Sequence, residues 1–239
     1  MDTIFELNAE IESWCIATMA EFKFDKALHA DGLAMAKLAS IVELAHCFRF
    51  VVANEKNAAA LPIFRTLLDH YVDLKNLCTD DLYHKHFYAR HHVEWINRLE
   101  AARNGNPALS LIASSEDFDQ SLADHRASLA ALEAKGHNKL TEKERFRRAE
   151  MQSEFESIYS FTSTASHGGL GDLLNRNFKS SGESYELHLF KEVPEDFFSN
   201  YLYLSCELLL NGLELMSARA HIDCRSRIAA FRVSLTEFS

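Results

Sequence analysis

Two short stretches of the chain carry side chains able to hold an anion and move a proton. The first is LPIFRTLLDHYVDLKNLC, Leu61 to Cys78. Wound at about 100° per residue, its apolar residues Ile63, Phe64, Leu67, Leu68, Tyr71, Val72, Leu74 and Leu77 cover most of a helix circumference. The gap holds Arg65, Asn76, Asp69 and Asp73, within an arc of about 80°. A charged line on so apolar a helix has two readings. Arg65 and Asp69, four residues apart, can form a structural ion pair on the helix rim. Alternatively, Arg65 faces a cleft and its planar fork takes a phosphate or carboxylate at two points, while Asp69, with Asp73 further along the same line, fixes the guanidinium.

The second stretch is FESIYSFTSTASHGG, in which Tyr159, Ser163 and His167 are spaced four apart. That spacing puts all three on one shoulder of a helix, beside a buried face of Phe155, Ile158, Thr162 and Ala165. His167 falls at the helix C-terminus, where the macrodipole favours a cation, so taken alone it reads as a capping histidine. Taken together, an arginine with an acid on one helix and Tyr, Ser and His on another can bind an anion and transfer a proton.

A third candidate is KLTEKERFRR, where Lys139, Lys143, Arg145, Arg147 and Arg148 outnumber Glu142 and Glu144. On a chain of formal net charge −10, any contact with nucleic acid must be local, and this segment is its best location. The plainer reading is a solvated helix start. The histidines of YHKHFYARHH, His84, His86, His91 and His92, include no pair three or four apart, the spacing that lets two residues of one helix share an ion. Glu43 and His46 have the E-x-x-H spacing of di-iron bundles, but no second copy accompanies them. No metal and no cofactor is therefore expected. Phosphate loops, G-x-G-x-x-G turns, G-x-S-x-G elbows and H-E-x-x-H helices are absent from the sequence, which argues against nucleotide-dependent enzymes, α/β-hydrolases and zinc proteases.

The two signatures, R-x-x-x-acid at Arg65 and Asp69 and Y-x-x-x-S-x-x-x-H at Tyr159, Ser163 and His167, resemble a bacterial helical family catalogued as a domain of unknown function, number 5677. The arrangement is also similar to the wider HEPN group of helical proteins, many of them metal-independent ribonucleases of toxin and antiviral systems. That resemblance implies Arg65 steadying a scissile phosphate and His167 taking the proton of a ribose 2′-hydroxyl. Ser163 or Tyr159 would orient the phosphate. The HEPN pattern places its arginine a few residues before its histidine. Here no arginine stands four to eight residues before His167, and the only match to the spacing, Arg65 with His70, puts the two about 140° apart on the helix. The alternative is a non-catalytic helical binding or regulatory module, in which Arg65 and Asp69 hold the fold together or recognise a partner's carboxylate.

The elements that must position these residues are helices. Gly (8) and Pro (3) are too few for the many turns of an all-β fold. Apolar residues recur at helical spacing over Ile4–Phe22, Leu33–Val52, Leu61–Cys78, Leu82–Leu99, Phe118–Leu132, Phe146–Ala165 and Phe197–Met216. About seven long helices are thus expected, in an all-α, HEPN-like bundle. Pro62 and Pro194 fit first-turn positions, Gly105 and Pro107 mark a loop, and Gly136 and Gly168–Gly169 end helices. Near residues 170–193 the helical period is lost, and Tyr185, Leu187 and Leu189 alternate as a short strand would.

No linker or repeat divides the chain, which reads as one domain, 1–239. No stretch is apolar over about 20 residues and Met1 to Glu12 is acidic, so the expected location is the cytoplasm and no membrane is involved. Five cysteines without a C-x-x-C pair read as reduced, mostly buried thiols. The wide apolar faces suit a homodimer, and the expected partner of the site is RNA.

Overall fold

Thr3 opens the first helix with a reciprocal cap: its hydroxyl accepts from the Glu6 amide and its own amide donates to the Glu6 carboxylate. The computed structural model describes residues 3–23, 29–182, 184–189 and 193–238. In chain order the helices are α1 (Ile4–Met19), α2 (His29–Ala53), α3 (Asn57–Thr79), α4 (Tyr83–Arg103), the short α5 (Ser110–Ala113), α6 (Phe118–Glu133), α7 (Glu142–Arg148), the single turn α8 (Gln152–Glu154), α9 (Ser160–Ser166), α10 (Leu170–Asn177), α11 (Ser199–Ala220) and α12 (Arg225–Leu235). A π-helical turn, Phe155–Tyr159, joins α8 to α9. The described chain is all-α apart from one hairpin, β1 (Phe178–Ser181) and β2 (Ser184–Leu187), paired antiparallel with Phe178 opposite Leu187.

The chain divides into two compact units, residues 1–79 with 146–239, and residues 80–145. The first is built on α2 and α3, joined by a tight turn in which Glu55 takes a left-handed φ of 58°. Against them lies α11, which also packs on α1. Gly212 permits that approach, because a Cβ there would sit 3.1 Å from Leu38 and 3.2 Å from Leu74. Leu38, Ile41, Phe48, Phe64, Leu67, Leu74 and Leu209 are fully buried between these helices, each worth about 1.5–3 kcal/mol of transfer free energy. Two buried or half-buried charges in this unit are paired. Glu12 receives Arg49 at 3.1 and 2.8 Å and His46 at 3.1 Å, and Arg219 donates to the last carbonyls of α3, Leu77 and Cys78, at 3.0 and 3.3 Å. Burial pushes the Cys15 and Cys206 thiols up to about 12, which makes them inert. Cys224 is also buried, while Cys47 is exposed.

The second unit is a helical hairpin. α4 packs on α6 over Leu99, Ala102 and Leu122, and Arg126 meets Glu100 at 2.7 Å across them. Gly136, with φ 82°, ends the turn after α6, as the sequence predicts.

Two expectations differ, and a third gains a partner. The helix expected over Phe146–Ala165 breaks: α7 stops at Arg148, Glu150 takes φ 53°, and helix resumes at Gln152. Pro62 lies in the second turn of α3 because the helix begins at Asn57. The strand read at Tyr185 and Leu187 is real and has a partner, β1, that alternation did not reveal; part of the 170–193 segment lies outside the described residues. No helix among the described residues is long and apolar enough to cross a membrane.

Candidate functional site

Arg65, Tyr159 and His167 come together in the first unit, where α3 packs against α9. Arg65 stands half-buried on α3. Its Nη2 donates to the Tyr159 hydroxyl at 3.0 Å and its Nη1 lies 3.1 Å from His167 Nε2. Arginine is only a donor, so in this contact the lone pair of His167 Nε2 accepts. The guanidinium carbon also lies 5.0 Å from the centre of the Tyr159 ring, which adds a cation–π attraction.

Tyr159 is the fixed point of the arrangement. Its ring is buried between Phe146, at 4.7 Å, and Phe155, at 5.5 Å and nearly parallel. It is the last residue of the π-helical turn, a feature concentrated at functional sites. From there α9 is regular, so Ser163 and His167 follow at one-turn intervals on the same side. Ser163 is half-buried and His167 is exposed, so the site runs from a buried phenol to an open imidazole.

His167 is held by the turn that follows it. Gly168 takes φ 66°, the left-handed conformation that suits glycine after a helix. The Gly169 amide donates to the Thr164 carbonyl at 2.9 Å. A Cβ on Gly169 would lie 2.3 Å from Thr164 Cγ2 and 3.2 Å from its carbonyl oxygen, so the close turn requires glycine.

The Arg65 Nε is buried and has no hydrogen-bond partner among the described residues. An unsatisfied buried donor costs about 1–3 kcal/mol. The guanidinium thus has capacity beyond its two contacts with the chain.

The remaining sequence candidates fall in different places. Asp69 is half-buried one turn along α3. Asp73 is 1% exposed and its carboxylate meets Lys37 of α2 at 3.0 Å, which turns that end of the polar line toward α2 and not toward Tyr159 and His167. Arg145 is buried and ion-paired with Glu142 on its own helix, so it offers no surface contact. Lys143, Arg147 and Arg148 are exposed. A cavity of about 250 Å³ borders the next face of α3, lined by Phe64, Leu68, Tyr71, Met151, Ile158 and Leu208 with Lys75 and Glu154 on its rim.

Sequence reasoning missed the aromatic support of Tyr159. Phe146 and Phe155 read only as periodic apolar residues. Gly168–Gly169 was legible as a helix stop, but the contact with Thr164 was not.

No curated protein and no solved structure matches the chain. A family model does match, over residues 31–185, a span that includes Arg65, Tyr159, Ser163 and His167. The chain therefore belongs to the family of unknown function DUF5677.

Proposed function

We propose that the chain is a HEPN-like, RNA-directed protein of a bacterial defence or toxin type of system, which cuts RNA without a metal through Arg65 and His167. One observation carries the reading: the guanidinium and the imidazole, far apart in sequence, face each other 3.1 Å apart at the surface of the first unit. In the reaction, His167 Nε2 takes the proton of a ribose 2′-hydroxyl, a step worth about 10²- to 10⁴-fold. The 2′-oxygen attacks the adjacent phosphorus, the bond to the 5′-oxygen breaks, and the leaving oxygen recovers a proton from the imidazolium. The products are a 2′,3′-cyclic phosphate and a 5′-hydroxyl. Arg65 balances the charge that builds on the non-bridging oxygens, Tyr159 fixes its fork, and the Ser163 hydroxyl donates to the phosphate. Exposed Arg147 and Arg148 of the first unit give the strand basic contacts. A second copy of the chain is accommodated by the exposed leucines Leu170 and Leu174 on α10 and by Leu187 on β2.

A second reading has support of its own. Tyr159 and His167 hold the Arg65 guanidinium in place, which suits a non-catalytic module that recognises one anionic group on a partner. The two readings separate when purified protein is incubated with total RNA in a chelator, beside Arg65→Ala and His167→Ala. Cleavage lost in both variants supports the enzyme. Cleavage equal in all three removes the assigned residues, and none in any of them leaves the binding module.

A further inference from the structure

The cavity of about 250 Å³ beside α3 shares its walls with the Arg65 site. Phe64 lines the cavity, and the next residue is Arg65; Ile158 lines it too, and the next residue is Tyr159, which holds Arg65. Consecutive helix residues point about 100° apart, so the cavity occupies the next face round from the guanidinium. Leu68, Tyr71 and Leu208 complete the apolar interior, and the polar side chains Lys75, Glu154 and Asn211 border it. These three are half-buried.

Apolar walls with a border of donors and acceptors suit a heteroaromatic ring that has a polar edge. A cavity of about 150 Å³ admits one benzene ring, so about 250 Å³ admits the two fused rings of a purine. Arg232 donates to the Asn211 side-chain oxygen at 2.6 Å, which leaves the amide nitrogen of Asn211 as the donor. Glu154 accepts from Ser153 at 2.9 Å through one oxygen, and a carboxylate keeps acceptor capacity beyond one such bond. Burial, and after it the charge of Glu154, push the Tyr71 hydroxyl up to about 12, which sets that carboxylate against the cavity wall. Guanine alone among the four RNA bases carries two adjacent donors, N1–H and N2–H, that one carboxylate accepts together, and its O6 and N7 accept from an ammonium or an amide.

We propose that this cavity receives a guanine base, with Glu154 accepting from N1–H and N2–H and with Lys75 and Asn211 donating to O6 and N7. The inference rests on the RNA-cleaving reading and adds the base which that site prefers. The guanine belongs to the ribose whose 2′-hydroxyl His167 deprotonates, so the cut falls after guanosine.

The test is equilibrium dialysis of the full chain against the four ribonucleoside 3′-monophosphates, each of which carries base, 2′-hydroxyl and phosphate with no bond to cut. Guanosine 3′-monophosphate should bind about tenfold more tightly than the other three. Glu154→Gln, which breaks the paired acceptor, and Ile158→Trp, which fills the cavity, should each remove that preference with helix content by circular dichroism unchanged. Arg65→Ala should weaken all four nucleotides alike and leave the preference in place. Equal affinity for the four, or a preference that survives both Glu154→Gln and Ile158→Trp, overturns the proposal. Failure of the cleavage reading is separate from failure of this one. Guanosine without its phosphate that still binds more tightly than adenosine supports the guanine cavity even where RNA stays uncut, whereas RNA cut evenly after all four bases keeps the cleavage and overturns the cavity.

Discussion

Arg65 and His167, 102 residues apart, share a contact of 3.1 Å that commits the imidazole lone pair to the guanidinium. In the proposed reaction a phosphate entering the site would take the place of that contact and inherit both partners. Replacing Arg65 by Lys keeps the charge but not a fork that reaches Tyr159 and His167 together. Arg65→Lys should therefore lower metal-independent RNA cleavage by about 10²-fold, measured as initial rate on a defined oligonucleotide, with little change in thermal midpoint.

Tyr159 holds Arg65 with its hydroxyl and the core with its ring. Tyr159→Phe should cost only about 0.5–1.5 kcal/mol of stability and lower activity. Tyr159→Ala, which empties the space beside Phe146 and Phe155, should cost about 3–5 kcal/mol. Urea unfolding curves distinguish the two.

Gly169 lies against Thr164. Gly169→Ala should destabilise by about 1–3 kcal/mol, and adding Thr164→Ser, which removes Cγ2, should recover part of that loss. A double-mutant cycle on the thermal midpoint measures the coupling.

Lys37 faces a carboxylate, Asp73, that is 1% exposed. Lys37→Met leaves a charge buried without this partner and should cost about 3–5 kcal/mol, whereas the double replacement Lys37→Met/Asp73→Leu should cost less. Denaturant midpoints of the three proteins check the order.

In the second unit, desolvation and then the neighbouring imidazoles hold His92 and His125 below the ordinary value of 6.5. The folded state therefore binds fewer protons than the unfolded state, so the stabilisation is complete above pH 6.5 and is lost as pH falls through the lowered folded values. Besides each other, the pair faces His91, whose charge adds to the repulsion, and Asp124, which opposes it at His125. Amide protection factors of α4 and α6, which are corrected for the intrinsic pH dependence of exchange, should fall as pH drops below that value, and His125→Ala should flatten the dependence.

Much of the site could be read from spacing. The apolar coat of Leu61–Cys78 made α3 recognisable and Arg65 conspicuous, and the four-residue interval from Tyr159 to Ser163 to His167 survives on α9. What could not be read depends on partners supplied by other elements. Asp73 shares the polar line with Arg65, yet Lys37 on α2 claims it. Glu150 breaks the helix after α7 with a left-handed φ and carries no glycine or proline to announce it. The π-helical turn needs Phe146 and Phe155 around Tyr159, and nothing local encodes it. The contact of His92 could not be read from spacing within α4, because its partner His125 stands on α6. The helix α12 was missed because Arg225–Leu235 is short and only Ile228, Phe231 and Leu235 along it are buried.

The most direct test of a shared phosphate is the chemistry of the cut ends. An RNA oligonucleotide is incubated with the protein in chelator, beside a copy with 2′-deoxyribose at the cleaved position, and the fragments are weighed by mass spectrometry. The account predicts 2′,3′-cyclic phosphate and 5′-hydroxyl ends, an uncut deoxy copy, and no cleavage by His167→Ala. Fragments with 5′-phosphate ends, or equal cutting of the deoxy copy, would contradict it.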